Sequence, residues 1–226
     1  MLGRSAIGTI GIMGGVENVP TGFACSLAHM AIYNERFLLQ PTEEIVLLRA
    51  QQSYHATARN WLVAEMHGDW LLMLDTDHTF DANMLKRLLV PFEAKGLDVL
   101  TGVYFQRGEP FMPVLWRVDE KGDLTFLSGL PRSQIIAVDA AGAGCLLVRR
   151  RVFERIASEL GEAPFDPFEG YSEDIAFFLR LRRLGIQAWA HTGVELKHLM
   201  LQAVGRAEHE ACLPHLIAEP LEVAAL

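Results

Sequence analysis

The chain has 226 residues, half of them hydrophobic, and carries 28 acidic against 20 basic side chains for a formal net charge of −8. That length supports one substantial core, the ordinary charged content excludes a disordered chain, and the acidic balance leaves no general footprint for nucleic acid. Cys25, Cys145 and Cys212 are odd in number and widely spaced, which excludes a disulfide framework and a clustered zinc site and points to buried thiols. No signal-peptide core and no membrane-spanning run is present, so a cytoplasmic protein without a membrane anchor is expected, one domain over residues 1–226.

Residues 9–13 read as a first strand that ends in Gly14 and Gly15, with Val19 and Pro20 closing the loop behind it. Thr21 caps a helix carrying Phe23, Leu27, Met30 and Ala31 on one face. The glycines at 8, 11, 14 and 15 do not have the spacing of a dinucleotide fingerprint. Residues 44–49 read as a second buried strand. Ser53 opens a helix with Arg59 and Asn60 near its middle.

Residues 70–74 are an unbroken apolar run, the signature of a strand buried on both faces. Asp75 and Asp77 follow it. At a strand's end residues i and i+2 point the same way, so both acids share one side of the carboxyl edge, where open α/β sheets bind ligands. Two carboxylates on one side repel each other, and a hard divalent cation is the usual remedy. Such a cation can hold a diphosphate. Asp81 caps the next helix, to about Ala94, so that job is already filled.

A fourth strand spans 98–105, and 114–118 with 124–126 suggest a hairpin. Residues 135–138 and 145–148 are further strands, separated by the small-residue stretch 140–144. A helix follows over 151–160, then a loop over 164–171. Ser172 caps a helix running to Arg183, with Glu173 and Asp174 in its first turn, where the dipole favours their ionised forms. These acids either decorate a helix start or include a general base. A last strand over 185–190 precedes His191 and His198, and His198 can complete an Asp/Asp/His metal set. Strand–helix alternation predicts a parallel α/β sheet, and the hairpin-like middle makes it mixed.

This ordered set resembles the GT-A glycosyltransferases, in particular small family-two-like members, over residues 9–198. The resemblance implies an α/β, Rossmann-like three-layer sandwich with a central mixed, mostly parallel sheet. It implies transfer of a sugar from a nucleotide diphosphate sugar, a UDP-sugar above all, to a hydroxyl acceptor. It also implies manganese or magnesium held by Asp75, Asp77 and His198, with Asp77 the direct ligand and Asp75 nearer the nucleoside. Donor contacts are implied at Pro20, Arg59, Asp75, Thr76, Asp77, Gly142 and Gly144. Asp174 is the implied base in an inverting reaction, with Glu173 beside it. A saccharide or small metabolite is the favoured acceptor, a modified nucleic acid is a further one, and residues 199–226 form a tail over that site. The sequence departs from the pattern at His78, directly after the metal motif, and at His191. Two other readings stay open: a haloacid-dehalogenase-like phosphatase with Asp75 as nucleophile, and a module that binds nucleotide sugar without turnover.

Overall fold

The computed structural model describes residues 3–14, 18–51, 54–120, 123–168, 170–200 and 203–212. In chain order its elements are β1 (Ser5–Met13), α1 (Thr21–Phe37), β2 (Glu43–Ala50), α2 (His55–Glu65), β3 (Trp70–Asp75), β4 (His78–Thr79) and α3 (Met84–Ala94). There follow β5 (Val99–Val103), β6 (Leu115–Val118), β7 (Leu124–Phe126), β8 (Ile135–Val138), β9 (Ala140–Ala141), β10 (Cys145–Arg149) and α4 (Arg150–Arg155), which continues as a π-helical turn over Ile156–Leu160. The last are α5 (Glu173–Arg183), β11 (Ala188–Glu195), β12 (Lys197–Leu199), β13 (Ala203–Val204) and α6 (Arg206–Cys212).

The central sheet has the order β2-β1-β3-β10-β5-β11-β8. β1 pairs in parallel with β2 and β3, and β5 in parallel with β11. β10 runs antiparallel between β3 and β5, and β8 antiparallel to β11. So β1, β2, β3, β5 and β11 all point one way, in a mixed but mostly parallel sheet.

β3 shows why the sheet is covered on both sides. Its alternate residues Trp70, Leu72 and Leu74 pack with Phe23 and Met30 of α1 and with Leu85, Leu88 and Phe92 of α3. Leu71 and Met73 face the other way, into a cluster with Leu62 of α2, Phe153 of α4 and Phe177 of α5. Period-two alternation across a strand apolar at every position requires an apolar layer on each face. Three layers result. Each leucine fully withdrawn from water in this strand contributes about 1.5–3 kcal/mol.

Several expectations are corrected. β2 is an edge strand, not a buried one: its residues alternate in exposure and Leu47 is 54% exposed. Pro20, not Thr21, precedes α1, where its fixed φ suits a helix start. α3 begins after Asn83, and Asp81 does not cap it with its side chain: its carbonyl accepts from the Met84 N–H at 3.0 Å and its carboxylate lies 3.9 Å from Arg87. Ser53 lies outside the described residues, as does the tail beyond Cys212. Cys25 is exposed, whereas Cys145 is buried and burial pushes its thiol up to about 12. Among the described residues no helix is long and apolar enough to cross a membrane.

Candidate active site

The apolar run that forms β3 delivers Asp75 to the carboxyl edge of the sheet, and a two-residue turn, Thr76 and Asp77, leads into β4. Two-residue β4 pairs with β12, placing His78 directly opposite His198. Their rings stack with centroids 4.6 Å apart, and Tyr104 at the end of β5 meets His78 edge-on at 4.5 Å. One ligand atom from each of Asp77, His78 and His198 falls within 4.8 Å of the others. Asp75 is outside that trio.

Both ring nitrogens of buried His78, and Oδ1 of Asp77, have no hydrogen-bond partner among the described residues. His78 Nδ1 lies 3.3 Å from that same oxygen without the angles of a hydrogen bond. Buried polar atoms are rarely left this way, and a cation between them supplies the missing partner. His198 is prepared similarly. Its Nδ1 donates to the Phe105 carbonyl at 2.8 Å, and Nε2 faces Asp77 Oδ2 at 3.4 Å, donating to it when the ring is protonated and offering a lone pair to a cation when the ring is neutral. This backbone tie is the usual way a ligand histidine is fixed in its metal-binding tautomer. The residues present therefore fit a divalent cation. Two imidazoles with one carboxylate suit manganese better than magnesium, which prefers all-oxygen shells.

Burial pushes the His78 imidazole down to about 4, against the opposing pull of the Asp77 and Asp75 carboxylates. Burial raises the Asp77 carboxyl, but the His198 hydrogen bond and the charges of His78, His198 and Arg107 outweigh it and hold the group at about 2. The unfolded His78 protonates as pH falls through about 6.5 while the folded one does not. The resulting stability is present above pH 6.5 and is lost as pH falls towards about 4. In the metal-free protein a loss of roughly 3 kcal/mol or less across that window is expected from His78 alone. Melting curves in chelator should show it, and His78→Gln should flatten the slope; an equally steep slope in the variant would remove this assignment.

Arg59 connects the metal strand to α5. It projects from α2, is 3% exposed, and donates to Asp75 Oδ1 at 3.0 Å, to the Ala143 carbonyl at 3.1 Å and to Glu173 Oε1 at 3.3 Å. Burial lowers the guanidinium's pKa, but the carboxylates of Asp75 and Glu173 more than compensate and keep it raised. Its three nitrogens are thus engaged within the protein, so it ties the site together and has little left to offer a ligand.

Glu173 and Asp174 open α5, as the spacing predicts. Their loop is anchored from behind: buried Arg180 holds Glu162 and the Asp166 carbonyl, and Asn60 holds Asp166. Ser172 stands at the N-cap, yet its hydroxyl donates to Asp174 Oδ1, which also accepts from the Ile175 N–H at 2.8 Å. Asp174 carries a raised pKa, chiefly from burial, with the neighbouring Glu173 charge adding to it. A raised carboxyl is a stronger base than an ordinary aspartate.

Gly142 and Gly144 sit behind this assembly. A Cβ on Gly142 would fall 2.0 Å from the Tyr104 hydroxyl, and one on Gly144 would fall 2.8 Å from His78 and 3.0 Å from Asp75. Gly144 N–H donates to Tyr104 Oη, and its carbonyl accepts from Asp75 N–H. Their smallness lets Tyr104 and the metal strand approach. Pro20 is exposed at the start of α1, whose Gly22 lies against Thr79 and Leu199 at the same end of the sheet. His191 lies apart from the trio, accepting from Gly193 N–H. An open pocket of about 590 Å3 lies in front of the trio, lined by Asp75, Asp77, Tyr104, Arg107, Val114 and His198.

Sequence reasoning left the role of His78 open and missed Tyr104 and Arg107. His78 carried a signal, its position directly after the motif. Tyr104 falls at the end of an apolar strand and Arg107 in a loop, and neither position carries a local signal in the sequence.

The profile of glycosyl transferase family 2 matches residues 33–157, more than half of the chain. Among solved structures, A197 from STIV superposes with a TM-score of 0.55 at 18% identity, over 91% of each chain. GalNAc-T7, solved with UDP, GalNAc and Mn2+, superposes with a TM-score of 0.57 at 11% identity over 93% of this chain; the chain spans 48% of that protein. No curated protein matches the chain in sequence. The family match and the fold together mark a GT-A glycosyltransferase. The chain belongs to glycosyl transferase family 2.

Proposed function

We propose that the protein is a manganese-dependent hexosyltransferase that moves a sugar from a UDP-sugar to a hydroxyl of a saccharide or small metabolite. The observation that carries this reading is the convergence of Asp77, His78 and His198, with buried atoms that lack partners among the described residues, at the mouth of the pocket. Asp77, His78 and His198 would hold the cation, with Asp75 beside them; UDP and Mn2+ accompany GalNAc-T7. When bound, the metal supplies Lewis-acid neutralisation of the leaving diphosphate.

The chain's own residues do the rest. Tyr104 walls the pocket and excludes water behind the two histidines. Arg59 fixes the Asp75 carboxylate and, through Glu173, the start of α5. In an inverting reaction Asp174 takes the acceptor proton as the hydroxyl oxygen attacks the anomeric carbon. Its oriented, raised carboxyl suits that role. The net charge of −8 favours a neutral saccharide over a nucleic acid as acceptor, and the free thiols of Cys25 and Cys145 among the described residues favour a reducing compartment such as the cytoplasm.

Thermal stability against a panel of nucleotides and nucleotide sugars, with manganese or with chelator, tests the reading. At about a hundredfold excess over Kd, a ligand specific to the folded state adds about 2.7 kcal/mol, or roughly 5–10 °C in Tm for a chain of this size. The shift is expected with UDP and manganese and not with chelator. No shift with any nucleotide, together with phosphate-ester hydrolysis that Asp75→Asn abolishes, would replace it with the phosphatase reading. Binding without turnover on any acceptor would leave a binding module.

A further inference from the structure

We propose that Arg107 is a diphosphate clamp held in reserve on Asp77, released to the donor when a divalent cation enters the site. This inference rests on the nucleotide-sugar reading above.

Arg107 follows β5 in a turn that lies over the metal trio. The turn is fixed by main-chain hydrogen bonds from Gln106 N–H to Met112 O and from Phe111 N–H to Gly108 O, both 2.8 Å. His209 of α6 makes a 3.0 Å hydrogen bond to the Phe111 carbonyl and packs against the Phe105 ring in a tilted pair, centroids 5.0 Å apart. The backbone of Arg107 is therefore placed, while its side chain is 48% exposed and able to swing. Its guanidinium donates to Asp77 Oδ2, the oxygen that also faces His198.

Among the described residues lining the pocket, Arg107 is the one with a permanent positive charge; Asp75, Asp77 and Glu109 are acidic. Arg59 does not fill the role, because it is buried and bound to Asp75, Glu173 and Ala143. A donor diphosphate entering this pocket meets one suitable fork of N–H donors. Guanidinium matches phosphate oxygens bidentately and is weakly hydrated, so it transfers readily between anions.

The consequence is a pair of effects with opposite signs. Without nucleotide, Arg107 and the cation compete for Asp77. With nucleotide, the cation displaces the guanidinium onto the diphosphate, and the two cations then act on one anion. By linkage, the cation improves nucleotide affinity partly by freeing Arg107.

Calorimetric titration of manganese alone, and of UDP into manganese-loaded protein, reads both effects in the wild type, Arg107→Gln, Arg107→Lys and Asp77→Asn. Arg107→Gln is expected to tighten manganese binding several-fold and to weaken UDP binding about tenfold or more, the loss of charge-assisted hydrogen bonds. Arg107→Lys should recover part of the UDP affinity. The half-exposed side chain makes an unchanged Tm the expected control. If Arg107→Gln leaves UDP affinity unchanged while Asp77→Asn removes metal-dependent UDP binding, the donor reading stands and the clamp is wrong. Weakening of both ligands alike would reduce Arg107 to a structural role and overturn the proposal. If the wild type binds no UDP with any metal, the donor reading itself fails and the clamp fails with it.

Discussion

Asp77→Asn is expected to abolish manganese-dependent binding of UDP and to lower turnover by at least on the order of 100-fold. Residues that merely orient a metal ligand cost about 10- to 100-fold when removed, and a group contributing its own oxygen costs no less. Asp77 is the point where His78, His198 and Arg107 converge, so the substitution removes the anion that organises all three. The folded state should survive, because the Asp77 side chain is 36% exposed and the apolar layers of β3 are untouched. Manganese titration followed by UDP titration of the variant checks this. Retention of wild-type manganese affinity would show that the cation sits elsewhere.

Arg59→Met should act mainly on stability, with an expected loss of about 3–5 kcal/mol. The methionine keeps most of the buried stem but leaves Asp75 and Glu173, whose side chains are 29% and 15% exposed, without their shared cation. Removing one partner from a buried network strands the charges that remain. For a chain of this length the Tm should fall by roughly 10 °C. Adding Asp75→Asn and Glu173→Gln to Arg59→Met should recover part of that loss, since neutral side chains no longer need a counter-charge. A triple variant no more stable than Arg59→Met would place the cost in packing, not charge.

The parts of the fold legible in the sequence are those set by local pattern. The 70–74 run, buried on both faces and ending in Asp75, is β3, and Ser172 with two acids behind it marks the start of α5. What escaped is set by long-range pairing. The placement of β10 between β3 and β5 depends on ladder partners some seventy residues away for Leu74 and Cys145, and no local signal encodes it. β4 is too short to have a period, so the register that sets His78 against His198 was invisible. A helix face does not disclose that Asp75 and Glu173 arrive on either side of Arg59, so the sequence alone does not show that its guanidinium is tied to both. The edge position of β2 was missed because an apolar run reads the same with or without a neighbour on its far side.

The same strand order fixes a sequence of events during synthesis. β1, β2 and β3 can pair as soon as they leave the ribosome, but the outer edge of β3 has no partner until Cys145–Arg149 has been made. For that interval the nascent chain displays Trp70–Asp75, an apolar strand with open hydrogen-bonding groups, which is a template for intermolecular pairing. β10 is the keystone that closes this edge and joins the two halves of the sheet, so chains cut short before it should aggregate, whereas chains cut after Leu199 should remain soluble. The late, non-local closure also raises contact order and slows folding.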